Sequence, residues 1–144
     1  MIRLPPQLLP ADTLGQLTLF QKQVDDSGTY AAQVAEAKRL FGARNTRSDT
    51  TFQVVRSVLT EMCSGARRCC YCEDSCADEI EHHRPKDLYP ECVFAWENYL
   101  YACGPCNGPK RSRFAVFETG TGQVVDVTRG RNAPVVPPTP GDPL

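Results

Sequence analysis

Neither sign of charge prevails in this chain: 16 Lys and Arg stand against 17 Asp and Glu, a formal net charge of −1 over 144 residues. Nucleic-acid binding through overall basicity is therefore excluded, and any such function must rest on a local patch. No run of about 18 apolar residues occurs, which excludes an encoded transmembrane helix and a membrane partner. The start, "MIRLPPQLLPADTL", has one basic residue, a short apolar core and too many prolines for a signal peptide. The chain is read as cytoplasmic. Histidine is nearly absent, with 2 copies placed side by side as His82 and His83 in "IEHHRP". Cysteine, by contrast, is plentiful: 8 in a chain of cytosolic type point to metal ligation or buried thiols before disulfides.

The length is one domain's worth of chain, with three textures along it. Residues 1–66 read as helical. Leu14, Leu17, Phe20 (or Gln21) and Val24 recur at near-helical spacing, with Asp12 or Thr13 as N-cap. Tyr30, Val34, Ala37 and Phe41 repeat the pattern, and Gly42 suits the position just past a helix end. Phe52, Val55, Leu59 and Met62 form the clearest stripe, capped by Ser48 or Asp49 and ended by Gly65. Such stripes are core unless a partner docks on them. Residues 67–117 turn to cysteine pairs, prolines and aromatics. Residues 118–144 complete a hairpin, "FAVFETGTGQVVDV" with "TGTG" as its turn, followed by the tail "RGRNAPVVPPTPGDPL". The tail is read as extended and without a packed terminal element, either cut short or ordered only against something else.

Two Cys-x-x-Cys pairs carry the strongest signal, Cys69 with Cys72 in "CCYC" and Cys103 with Cys106 in "CGPC". Two knuckles bracketing a compact insert bring four thiolates around one Zn²⁺ in a closed tetrahedral site. Cys70 and Cys76 leave a shifted register open; Cys69 with Cys72 is preferred because it repeats the spacing of the second pair. A redox use of "CGPC" is weaker, since no βαβ pattern precedes it. Zinc held by four thiolates keeps no open position, so Glu81, His82 and Asn107 remain for another task. Closing the knuckles draws the segment at 82 toward that at 107. Oxygen ligands suit Mg²⁺ or Mn²⁺, and a neutral imidazole serves as general base near pH 7. That is equipment for metal-assisted phosphodiester hydrolysis. Asn107 is equally a helix N-cap candidate, and "GPKRSR", with Arg111, is a basic run suited to a phosphate backbone.

Across Cys69–Lys110 the pattern "CCYC…IEHHRP…WENYLYACGPCNGPK" resembles the HNH endonuclease motif in its zinc-knuckled ββα-metal form. The wider texture resembles the HNH nucleases of Septu-type and retron-associated phage-defence systems. The resemblance implies an α+β fold, with N-terminal helices followed by a ββα-metal core stapled by a four-cysteine zinc site. It implies His82 as the base, three residues before Pro85, and Glu81 and Asn107 as ligands of the catalytic Mg²⁺ or Mn²⁺. It implies Asn98 as the asparagine that steadies the base-bearing loop, and Arg84 and Lys110 as phosphate contacts. His83 departs from the pattern, at a position usually apolar or aromatic, and is expected to pack or hydrogen-bond. The implied activity is DNA cleavage in anti-phage defence, with an ATPase as partner. The competing expectation is a non-catalytic zinc-knuckle module that binds nucleic acid or protein.

Overall fold

The computed structural model describes residues 7–63, 67–74 and 76–144. Three helices come first: α1 (Ala11–Asp25), α2 (Tyr30–Arg44) and α3 (Thr50–Met62). Asp49 caps α3 as expected, its carboxylate accepting from the Phe52 N–H at 3.1 Å. Elsewhere the ends differ from expectation. Helix α1 starts before Asp12 and Thr13, with Pro10 in the cap position and the Leu14 N–H donating to the Pro10 carbonyl at 3.0 Å. Asp12 instead lies in the first turn, where a carboxylate favours the helix dipole. Helix α2 runs through Gly42 to Arg44, because Leu40 and Phe41 are buried and the Arg44 guanidinium lies 4.8 Å from the Phe20 ring centre. Gly65, the expected end of α3, lies outside the described residues.

One apolar cluster joins the helices to the rest of the chain. Leu17, Phe20 and Val24 of α1, Phe41 of α2, and Phe52, Val55 and Leu59 of α3 are all buried in it. Leu14 is 45% exposed, so the α1 stripe runs from Leu17 and not from Leu14. On the other side of the cluster sit Ile80, Phe94, Trp96, Tyr99 and Tyr101. Gln21 adds a polar tie, donating to the Pro90 carbonyl at 3.0 Å and accepting from the Phe94 N–H at 3.0 Å. Trp96 and Tyr99 are thus core residues, and the Trp96 indole N–H donates to the Gln7 carbonyl at 2.8 Å.

Strands β1 (Glu79–His82) and β2 (Tyr99–Ala102) pair antiparallel, Glu79 opposite Ala102 and His82 opposite Tyr99. Helix α4 (Gly104–Lys110) follows directly. Alternation along β1 decides the site. Ile80 and His82 face the aromatic core, whereas Glu79 and Glu81 face α4 and bond to its side chains. The fold is α+β, with the β1–β2–α4 unit packed under three helices.

A second sheet, in the order β4–β3–β5, is built from β3 (Ala115–Glu118), β4 (Val124–Asp126) and β5 (Gly141–Pro143). The hairpin forms as its alternation and "TGTG" predict, with Gly122 at φ +67°. The tail corrects the expectation that it ends unpacked: β5 pairs with β3, and the Leu144 N–H donates to the Ala115 carbonyl at 3.2 Å. Gly141 permits this, since a Cβ there would lie 2.4 Å from the Phe117 carbonyl oxygen. Among the described residues no helix is long and apolar enough to cross a membrane.

Candidate functional site

Cys69, Cys72, Cys103 and Cys106 bring their sulfurs within 4.8 Å of one another. Cys72 and Cys103 sulfurs are 3.9 Å apart, close to the roughly 3.8 Å separation that a tetrahedron of roughly 2.3 Å Zn–S bonds requires. The four cysteines can hold a metal ion such as zinc. Backbone placement prepares the charge: the Tyr71 and Cys103 N–H groups reach Cys69 Sγ at 3.4 and 3.3 Å. Burial pushes the Cys69 thiol up, but the backbone N–H groups of Cys72, Cys103 and Tyr71, with the Cys103 thiol, outweigh it and the net displacement is downward. Cys106 is pushed up to about 12, first by its contact with Cys103, then by burial and by Cys72 and Cys69. Thiols this crowded ionise together only around a cation. Of the other cysteines, Cys63 and Cys70 are buried, Cys92 is half-buried and Cys76 is exposed.

His82 is buried, its ring centre 4.4 Å from that of Phe41 and 5.4 Å from that of Tyr99. Its Nε2 lies 2.9 Å from the Val93 carbonyl oxygen. A carbonyl only accepts, so Nε2 carries the proton and Nδ1 keeps its lone pair. Burial, with Lys86 beside it, pushes the imidazole down to about 3 against the opposing Val93 bond. The ring is therefore neutral at physiological pH.

Glu81 is buried, and Lys110 of α4 places its ammonium on Glu81 Oε1 and donates to the His82 carbonyl at 2.7 Å. Burial raises the Glu81 carboxyl and Lys110 opposes it. Lys110, expected at a phosphate, thus has its charge engaged by Glu81. Asn107 sits inside α4, whose N-cap residue is Cys103, so it does not cap the helix. Its amide nitrogen donates to Glu79 Oε2 at 2.7 Å.

Glu79, Glu81, His82 and Asn107 border one open cavity of about 990 Å³. Lys38, Lys86, Arg111 and Arg113 line the same cavity, four cations against the three carboxylates of Glu79, Glu81 and Asp87. Lys38 comes from α2 and pairs with Asp87 at 2.9 Å. The structure therefore gathers His82, Glu81, Asn107 and Arg111. Arg84 lies apart from them, its guanidinium 5.1 Å from the Tyr89 ring centre in a different recess.

Asn98 ties the loop after β1 to the body. Its Oδ1 accepts from the Arg84 N–H at 2.7 Å, and its Nδ2 donates to the carbonyls of Arg84 and Cys92, each at 3.0 Å. The Asn98 carbonyl accepts from the His83 N–H at 2.9 Å. His83 is half-buried with its ring edge on Phe114, centres 5.8 Å apart.

Part of the chain matches a Septu protein. Over 61 residues, 39% of this chain, it is 41% identical to Septu protein PtuB of Bacillus thuringiensis. The chain spans 23% of that relative's length. No protein-family model matches the chain, and no solved structure does.

Sequence reasoning missed Glu79, Lys38 and Phe41 as neighbours of the site. Glu79 carried a usable signal, since it stands two residues before Glu81 in a strand and so shares its face. Lys38 and Phe41 had none, because only the tertiary packing of α2 brings them to β1.

Proposed function

We propose that this chain is a divalent-metal-dependent HNH-type endonuclease that hydrolyses DNA phosphodiester bonds in a Septu-related anti-phage defence system. The likeness to a Septu protein supports the defence setting. The observation that carries the nuclease reading is that His82, whose tautomer leaves Nδ1 unprotonated, borders the same cavity as two oxygen-bearing side chains, Glu81 and Asn107. A carboxylate and an amide oxygen are hard donors that fit Mg²⁺ or Mn²⁺, which keeps several waters.

In this mechanism His82 Nδ1 accepts the proton of the attacking water while Nε2 stays anchored on Val93. Glu81 and Asn107 hold the cation that, when bound, stabilises charge building on the phosphate. Lys86, Arg111 and Arg113 hold flanking phosphates, and Asn98 keeps the base-bearing loop in register. An anionic phosphate in the cavity also offsets Lys86 and so raises the basicity of His82 from its low resting value.

A second reading is a non-catalytic zinc-knuckle module for nucleic acid or protein. Its support is that two of the proposed groups are covered, His82 3% exposed beneath Phe41 and Glu81 with Lys110 seated on it. Plasmid cleavage separates the two: the nuclease reading expects nicking with Mg²⁺ or Mn²⁺ and none after EDTA treatment that leaves zinc in place. Binding of DNA without cleavage under all metals supports the module. The helical face and an ATPase partner belong to the same proposal; co-purification with such a partner supports it, and a monomer fully active alone counts against it.

A further inference from the structure

We infer that Glu79 is the positioning residue for Asn107: it fixes the orientation of the Asn107 amide so that Oδ1, and not Nδ2, is offered to a divalent cation. The inference rests on the metal-dependent reading above. An asparagine amide can present either end, and only one end is a metal ligand. Glu79 removes the choice. A carboxylate only accepts, so the Asn107 atom 2.7 Å from Glu79 Oε2 must be the nitrogen, and the oxygen is turned away from Glu79. Among the described residues no donor occupies that oxygen.

The local fold is built around this contact. Glu79 and Glu81 alternate on one face of β1, and Asn107 and Lys110 are one turn apart on α4. Two polar links therefore cross between the same strand and helix, Glu79 to Asn107 and Glu81 to Lys110. The first uses only the nitrogen end of the Asn107 amide and leaves Oδ1 over. Gly104 makes room for the first link: a Cβ there would stand 3.2 Å from Glu79 Oε1, tighter than ordinary contact, so a side chain at 104 presses on the carboxylate. Ligand-orienting groups of this kind commonly alter metal affinity by about 10–100-fold when removed.

The test is calorimetric titration of Mn²⁺ into the zinc-loaded full chain, for wild type, Glu79→Ala, Glu79→Gln, Asn107→Ala and the Glu79→Ala/Asn107→Ala double variant, with zinc content checked in each. Glu79→Ala is expected to weaken Mn²⁺ binding about tenfold. Glu79→Gln, whose amide oxygen still accepts from Asn107, is expected to stay within about threefold of wild type. The double variant is expected to match Asn107→Ala, since a positioning residue has nothing left to position. Glu79→Ala within twofold of wild type overturns the inference. So does equal loss in Glu79→Gln, which assigns the effect to charge, or additive loss in the double variant, which makes Glu79 a ligand in its own right. Absence of Mn²⁺ binding in wild type instead removes the metal-dependent reading, and this inference with it.

Discussion

At the scale of single residues, Asn98 concentrates the most structure in the fewest atoms. It is 6% exposed and its side chain closes three bonds to the backbone of residues 84 and 92. Asn98→Ala strands those buried groups, at about 3 kcal/mol. We expect a lowered melting temperature with zinc content unchanged, and cleavage reduced because the loop after His82 loses its tie. Cys92 gives a pH test. Burial, with Glu91 adding to it and Arg84 opposing, pushes its thiol up to about 12. The unfolded chain releases that proton near the ordinary thiol value while the native chain keeps it, so stability falls as pH rises across that interval. Urea unfolding of wild type and Cys92→Ala should therefore converge, or cross in favour of the variant, between about pH 8 and 10.5. A constant gap contradicts the assignment.

The nearness of His82, Glu81 and Asn107, and the tie that Asn98 makes to the loop after β1, were legible, because a strand, a turn and a helix turn constrain their spacing. Two side-chain roles were not. Lys110, expected at phosphate, also reaches back one turn beyond Asn107 to Glu81, whose buried carboxylate its ammonium compensates. Arg84 was placed by its position beside the base, but its ring contact with Tyr89 carries it to another recess.

At the scale of elements, the tail is the test case. Strand β5 lies against β3 only because residue 141 has no Cβ to meet the Phe117 carbonyl at 2.4 Å. Gly141→Val should release the last strand while leaving the helices and the zinc content intact. Hydrogen exchange at Phe117 and Leu144 is expected to rise severalfold in that variant. Unchanged protection would mean that the tail docks by other contacts. The proline-rich composition of the tail hid this strand, since a lone Gly-Asp-Pro among prolines carries no alternation to read. The helices were legible from their stripes, and the errors at their ends follow the usual pattern in which packing outvotes a cap or a glycine. Phe41 pulls α2 past Gly42, for example.

At the scale of the whole molecule, one hydrophobic cluster couples α1–α3 to the strand that carries His82, while the cysteine site joins the opposite ends of the segment from Cys69 to Cys106. A metal held by the four cysteines would tie α4, and with it Asn107, to the turn at Cys69 and Cys72. Stripping it with a strong chelator should lower the melting temperature and abolish cleavage together, whereas mild EDTA should remove only the catalytic cation and leave zinc and stability in place. Phe52→Ala tests the other half of the frame. A fully buried ring shared by α3, Phe41 and Tyr99 is worth about 3–5 kcal/mol, and its loss should loosen the site without touching it. The coupling between the helices and β1 was not legible, because a stripe announces that a face is buried and not what buries it.

Activation of water by His82 beside a divalent cation is the step on which the proposed function stands or falls. The direct measurement is plasmid nicking with Mg²⁺ and Mn²⁺ by wild type and His82→Ala, with zinc counted per chain in both. We predict one zinc in each protein, metal-dependent nicking by wild type, and a loss of at least about a hundredfold in the variant. Nicking that persists in zinc-loaded His82→Ala contradicts it.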